Sequence, residues 1–302
     1  MNLPEQLKRG DTLAIIAPAK AIEQEYIDFA VDLWENQGFK VVIGKHCLGQ
    51  HHYFSGTDTQ RAHDLQAAID NENVKAIICA RGGYGCVRLI DRINWAGLIN
   101  QPKWLVGFSD VTVFHHHLAT LELPSIHATM PLNYKENTPE SLASLVHSLT
   151  GPDNQYTWDS KSYFKSGEAE GEVLGGNLAV IANMVGTRLM PDYRDKILFI
   201  EDVGEHLYAI DRMFYQLDKS GILDNIAGLI VGSFTGMKDT EVPFGQSLEE
   251  IILSHVKYRK IPVGFLFPAG HQDDNRAITF GIPMKFTVDD IGSASLSTNK
   301  SF

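Results

Sequence analysis

Cysteine is scarce in this chain: three among 302 residues, Cys47, Cys79 and Cys86, with no C-x-x-C pair. That usage speaks against a disulfide framework or a zinc knuckle and for reduced thiols within a folded core. Long apolar runs are missing as well. The run near the start, Leu13 to Ala17, is closed by Pro18 and Lys20, too short for a membrane span and oddly flanked for a signal peptide. A cytoplasmic protein with no membrane attachment is therefore expected. No cluster of Lys and Arg appears in a chain of formal net charge -11, which argues against a nucleic-acid surface. The acidity does not identify a ligand, because a local cationic pocket can sit inside an anionic protein. Neither G-x-G-x-x-G nor G-x-x-x-x-G-K-[ST] occurs, so the usual sequence grounds for a nucleotide cofactor are absent.

What is present is an ordinary globular composition, 44% hydrophobic and 21% charged, in a chain long enough for two domains. From Thr12 to about Met130, short apolar runs alternate with amphipathic stretches. The runs are LAIIAP (13–18), VVIG (41–44), KAIICA (75–80), WLVGF (104–108) and SIHATM (125–130), with helices expected at 23–37, 60–70, 86–93 and 111–121. This β-α-β order predicts a doubly wound, flavodoxin-like parallel sheet. Residues 135–167 turn polar and turn-rich, as in KENTPES and GPDNQ. Strands in EGEVLG, ILFI (197–200), GLIVGSF (228–234), AITFGI and MKFTV follow, with helices near 177–186, 207–218 and 247–257. The expectation is an α/β N-terminal domain over 1–140, a linker over 141–167, and a smaller, mixed, β-rich C-terminal domain over 168–302.

Two turns in the first half carry chemistry. In WLVGFSDVTVF a buried strand runs into a helix through Gly107-Phe108-Ser109-Asp110. A nucleophilic serine wants that placement, since the turn exposes Oγ and the next N–H, on Asp110, can hold an oxyanion. The second glycine of G-x-S-x-G is missing, and Ser109 could equally cap the helix that starts near Val111. CARGGYGC is a second glycine-rich turn at a strand end, where Gly82, Gly83 and Gly85 free the backbone to approach a ligand. Loops at the carboxyl ends of neighbouring parallel strands share one crevice, so an N–H of Gly83 can complete an oxyanion hole beside Ser109.

The second half supplies an acid and a base where a core does not want them. Glu201 directly follows the apolar run ILFI, and His271 follows an apolar run and a Pro-Ala-Gly turn. A buried carboxylate needs a partner. A serine activated by a histidine that a carboxylate orients is the logic of a catalytic triad. The order Ser, acid, His is that of α/β-hydrolases, but the strand count before Ser109 and the missing elbow glycine do not fit that fold.

The blocks IIAPA, ARGGYG, VGFSD, LGGNL, LFIEDVGE and FPAGH, in this order over nearly the whole chain, resemble the LD-carboxypeptidase family of serine peptidases. The resemblance implies Ser109 as nucleophile, Glu201 as acid and His271 as base, with backbone amides of Asp110 and Gly83 as oxyanion donors. It implies a flavodoxin-like domain followed by a β-rich one, a homodimer, and no cofactor or metal. The implied substrate is a murein tetrapeptide or muropeptide that loses its terminal D-alanine from the L-centre of a diamino acid, in peptidoglycan recycling. Within the same resemblance, a microcin-immunity peptidase cleaving aminoacyl or peptidyl nucleotide conjugates is the alternative. A non-catalytic, two-lobed small-ligand binding protein is the alternative of another class.

Other polar residues admit plainer roles beside the functional ones. Arg81 offers a fork for a substrate carboxylate or an ordinary salt bridge. Asn177 faces an interdomain cleft or caps a helix. His115, His116 and His117 cannot all face one ion from consecutive helical positions, so surface or half-buried helix histidines are expected. His46, His51 and His52 flank Cys47 without a zinc motif. Glu168, Glu170 and Glu172 alternate as on a solvated strand face. Asp110, Asp202 and Glu205 compete with Glu201 as the orienting acid. Cys86, with no histidine placed to activate it, reads as structural.

Overall fold

The computed structural model describes residues 3–151, 153–161 and 163–298. Pro152 and Ser162, which fall in the expected linker, and the chain ends lie outside that description. Two compact units result, one of residues 1–152 and 273–279, the other of 153–272 and 280–302.

The first unit holds strands β1 (Thr12–Ile16), β2 (Lys40–Ile43), β3 (Val74–Cys79), β4 (Trp104–Gly107) and β5 (Ser125–His127). Its helices are α1 (Gln24–Asn36), α2 (Asp58–Asp70), α3 (Ala96–Asn100), α4 (Thr112–Thr120) and α5 (Pro139–Thr150). Sheet order is β2-β1-β3-β4-β5, and every neighbouring pair is parallel. That is the doubly wound, flavodoxin-like arrangement, in which loops at the carboxyl ends of the strands build the ligand site. β3 and β4 are neighbours, so the turns that follow them, at Gly82 and Ser109, emerge side by side.

Local sequence explains most of these elements. β1 buries Leu13 to Ile16, as a central parallel strand must. α1 buries Ile27, Ala30 and Trp34 at helical spacing, each large side chain contributing about 1.5–3 kcal/mol. α2 begins in a capping box: the Thr57 hydroxyl accepts from the Gln60 N–H, and the Gln60 side chain accepts from the Thr57 N–H.

The second unit contributes β6 (Gln155–Asp159), β7 (Phe164–Lys165), β8 (Gly167–Asn177), β9 (Ile197–Val203), β10 (Gly228–Thr235), β11 (Val263–Gly264), β13 (Pro283–Val288) and β14 (Ser293–Thr298), while β12 (Ile278–Phe280) joins the first sheet. Its helices are α6 (Leu178–Met184), α7 (Leu207–Lys219), α8 (Ile222–Asn225) and α9 (Leu248–Val256). The eight-stranded sheet runs β6-β14-β13-β8-β9-β10-β11-β7. Its centre, β8 to β11, is parallel, and its flanks are antiparallel. Aromatic rings fill one face: Trp158 meets Phe267 edge-on at 4.9 Å and stacks on Phe286 at 6.0 Å.

The structure departs from expectation in three places. Residues 141–150, expected to begin a linker, continue α5, whose Leu145 and Leu149 join the first core. Thr138 caps this helix and Pro139 opens it, signals that the surrounding polar residues mask. The strand expected in AITFGI as part of the C-terminal domain is β12, which pairs with β5 at the edge of the first sheet. Such non-local pairing leaves no trace in periodicity. Finally, 86–93 forms two short 3-10 turns, Cys86–Arg88 and Ile90–Arg92, rather than a helix. Side chains satisfy backbone groups in both turns: Asp110 Oδ2 accepts the Cys86 N–H at 2.8 Å, and the Ile90 carbonyl accepts from Trp95 Nε1 at 3.1 Å.

Candidate active site

Ser109 lies one residue beyond the extended Phe108 that follows β4, with a backbone φ of 62°. A non-glycine residue in the left-handed region carries local strain, a mark of serine turns that hold a hydroxyl out from the chain. The glycine turn after β3 explains how such a turn fits. A Cβ on Gly82 would stand 3.0 Å from Ser109 Cβ, 3.1 Å from its Oγ and 3.3 Å from the Asp110 N. Only glycine leaves that space, so the Gly82-Gly83 backbone lies directly against the hydroxyl and the following amide. Gly83 has φ 111°, and a side chain there would meet the Tyr53 hydroxyl at 2.8 Å.

Asp110 is buried, and its carboxylate accepts the Cys86 N–H, tying the serine turn to the glycine turn. Burial raises its pKa against the lowering effect of that bond. A second brace, without a sequence signal, is Arg61 of α2. This buried guanidinium donates to the carbonyls of Pro18, Gly56 and Gly85, and pairs with Asp58. An Arg on an amphipathic helix gives no sequence hint of burial; three convergent loop carbonyls make it tolerable. Arg81 forms no ion pair among the described residues: one Nη donates to the Ala21 carbonyl at 2.9 Å, while the buried Nε has no partner there. Burial lowers its pKa.

In the second unit, His271 Nδ1 and Glu201 Oε2 are 2.6 Å apart. Glu201 lies in the buried run of β9 with 0% exposure, and its Oε1 has no partner among the described residues. Burial pulls the His271 pKa down, but the Glu201 hydrogen bond and charge outweigh it, and the net shift is upward. Since a carboxylate accepts only, Nδ1 carries the proton and Nε2 is left as the basic nitrogen. Gly270 makes the approach possible: its φ is 116°, and a Cβ would fall 2.9 Å from Glu201 Oε2 and 2.4 Å from Ser233 Oγ. Thr235 Oγ1 donates to the His271 carbonyl at 2.9 Å, a second positioning contact with no sequence signal.

Two of the competing acids, Asp110 and Asp202, are engaged elsewhere. Asp202 accepts from Asn177 Nδ2, Ala179 N and Val203 N, and burial pushes its pKa up to about 6. Asn177 has both ends of its amide occupied, Oδ1 capping α6 at Val180 N and Nδ2 on Asp202. The capping role accounts for it, and it orders the strand end paired with Glu201. Glu168 and Glu172 make ion pairs with Lys285 and Lys196 on a strand face, as expected. Cys86 is fully buried and its thiol pKa is raised well above the ordinary value by burial, which suits a structural residue. His115 and His116 correct the expectation of surface or half-buried histidines: both are fully buried in α4. His115 donates from Nε2 to the Gly107 carbonyl at 2.8 Å and meets Ser125 Oγ through Nδ1 at 2.8 Å, behind the serine turn. Burial lowers their pKa values to about 4 and about 3. One set of metal-ligating side chains gathers among the described residues, His46 with His63 and Asp64.

A strained serine turn against a glycine turn, and a carboxylate-oriented imidazole, are the parts of a serine hydrolase. Comparison with known proteins narrows that class. Residues 13–128 match the model of the LD-carboxypeptidase N-terminal domain, and residues 170–286 that of the C-terminal domain. A murein tetrapeptide carboxypeptidase of Pseudomonas aeruginosa is 34% identical over 285 residues, 89% of this chain and 91% of that protein. The crystal structure of muramoyltetrapeptide carboxypeptidase from Oxalobacter formigenes superposes with a TM-score of 0.87 at 30% identity, covering 95% of this chain and 99% of that one. The microcin C7 self-immunity protein of Escherichia coli is 25% identical over 343 residues, covering 99% of this chain and 98% of the relative. The protein is a serine-type carboxypeptidase. It belongs to the LD-carboxypeptidase family, which sets aside a non-catalytic binding module.

Proposed function

We propose that Ser109, His271 and Glu201 act as nucleophile, base and orienting acid, with the amides of Asp110 and Gly83 receiving the oxyanion. The observation that carries this is the fully buried Glu201 meeting His271 Nδ1 at 2.6 Å, which leaves Nε2 ready to accept a proton. The Ser109 Oγ bonds to a peptide carbonyl carbon while its proton passes to Nε2. The tetrahedral intermediate then expels the amine, which takes that proton as the C–N bond breaks. Water, deprotonated by the same nitrogen, releases the acyl group and restores Ser109. The chemistry requires the Ser109 hydroxyl to come within hydrogen-bond reach of His271 Nε2 when substrate is bound.

The substrate is a murein tetrapeptide, free or as a muropeptide, and the departing amine is its terminal D-alanine. Relatives named for that activity at 34% and 30% identity support this assignment. Arg81, with its buried unpartnered Nε, grips a substrate carboxylate. Asn177 contributes by ordering Asp202. The enzyme works as a homodimer in the cytoplasm, in recycling of cell-wall peptides; no helix among the described residues is long and apolar enough to cross a membrane.

A second reading, cleavage of aminoacyl nucleotide conjugates, draws on the likeness to the microcin self-immunity protein. That alignment spans 343 positions, more than the 302 residues here, so the relative carries insertions that this chain lacks, which favours the murein peptide. Incubation with a murein tetrapeptide, a D,D-pentapeptide and an aminoacyl nucleotide, followed by mass spectrometry, separates the two. Loss of D-alanine from the tetrapeptide alone, abolished in Ser109→Ala, is expected. Turnover that survives Ser109→Ala overturns the nucleophile assignment.

A further inference from the structure

We propose that His46, His63 and Asp64 form a binding site for a borderline divalent transition-metal ion, zinc being the type case, which braces the loop between β2 and α2. The site is separate from the residues assigned to hydrolysis. One ligand atom from each of the three side chains lies within 4.8 Å of the others. His46 comes from the loop after β2, while His63 and Asp64 come from one turn of α2. The rings of His46 and His63 meet edge to face with centroids 5.7 Å apart.

The carboxylate is already fixed. Asp64 is 4% exposed, and its Oδ2 accepts the His46 N–H at 2.7 Å. Gly44 makes room for it, since a Cβ there would fall 2.6 Å from Oδ2. Asp64 Oδ1 lies 3.5 Å from His63 Nδ1. Ligands held about 2.0–2.2 Å from one ion in a tetrahedron stand roughly 3.3 Å apart. Closing the set from at most 4.8 Å asks for small side-chain rotations, for which His63, with a side chain 61% exposed, has room. A cavity of about 190 Å³ lined by Gly44, Lys45, His63 and Asp64 leaves space for water on the ion's open side.

The donor set selects the ion. Two imidazoles and one carboxylate suit zinc and its neighbours, whereas magnesium and calcium ask for more oxygen ligands. The Lys45 ammonium on the same cavity further disfavours an ion held by charge alone. The consequence lies further along the loop. Tyr53 and Phe54 pack against the glycine turn: a Cβ on Gly83 would stand 2.8 Å from the Tyr53 hydroxyl, and the Phe54 ring lies 6.2 Å from that of Tyr84. An ion clamping His46 to α2 fixes the near end of the same loop.

The test uses the untagged full chain and zinc alone, titrated against a chromophoric chelator. One equivalent is expected to bind, with affinity reduced at least about tenfold in His63→Gln, which removes one of only three ligands. His63 is exposed, so this variant folds. His52→Gln, at an exposed histidine of the same loop, should bind as the parent does. Zinc should also slow tryptic cleavage after the exposed Lys45 in the parent and not in His63→Gln. Absence of saturable binding, equal affinity in parent and His63→Gln, or an equal loss in His52→Gln would overturn the assignment. None of these outcomes bears on hydrolysis by Ser109, which is read separately by D-alanine release.

Discussion

Replacing Glu201 with Gln keeps the size of the side chain and removes its charge. In the parent the carboxylate is fully buried and stands 2.6 Å from the nitrogen that carries the imidazole's proton. When Ser109 gives up its proton, the imidazole becomes a cation beside that carboxylate. Two unit charges about 3 Å apart in an effective dielectric of about 20 attract by roughly 5 kcal/mol. Part of this is already spent in the resting enzyme, where the same pair raises the His271 pKa. A fall in kcat of about 10²–10⁴ is therefore expected, with KM little changed. Stability should move the other way or not at all, because Glu201 Oε1 has no partner among the described residues and the variant no longer buries a charge. The pH profile supplies an independent sign. Activity needs neutral His271, so the acid limb of kcat/KM in the parent lies above the ordinary imidazole value of about 6.5. In Glu201→Gln the raising influence is gone and burial remains, so the limb moves to lower pH. D-alanine release from a murein tetrapeptide, measured with urea denaturation on the same preparations, reads all three. A variant that keeps more than about a tenth of the activity, or whose acid limb stays in place, would refute the role of Glu201.

Three further outcomes follow from the same geometry. Ser109→Gly should abolish D-alanine release yet raise stability by up to about 1 kcal/mol in urea denaturation, since glycine relieves the left-handed backbone; a loss of stability would contradict strain at φ 62°. Gly82→Ala places a methyl 3.1 Å from Ser109 Oγ, so kcat should fall about 10–100-fold with a near-native urea midpoint; unchanged turnover would show that the turn does not set the hydroxyl. His115 and His116 titrate at about 4 and about 3 when folded, below their unfolded value of 6.5. The unfolded chain thus binds more protons in that window, and stability should fall with decreasing pH from about 6.5 by roughly 1.4 kcal/mol per unit for each residue. His115→Gln should lower overall stability but flatten the slope by one residue's share, and an unaltered slope would count against a neutral buried imidazole.

Strands β1 to β5 of the first sheet were legible because each is a short apolar run set off from an amphipathic neighbour. Helices α1, α2, α4, α6, α7 and α9 were legible for the matching reason of period. The candidate triad could be read one residue at a time, since each member stands where an apolar run stops and a polar side chain is out of place. Thr138, Pro139 and the leucine spacing announce α5, but its polar flanks dominate the composition of that stretch. The two 3-10 turns at 86–92 were not legible, since the local pattern there is as compatible with a helix.

Composition, period and the order of motifs, taken alone, determined the class of fold, the family likeness and which residues carry reactive groups, because those depend on what each short segment buries or exposes. Only tertiary structure decided that Gly82 lies against Ser109, that His271 faces Glu201 and not Asp202, that Arg61 gathers three loops, and that β12 returns to the first sheet. Each of these is a meeting of groups distant in the chain, set by packing and by the need of buried polar atoms for partners, and no local pattern encodes it.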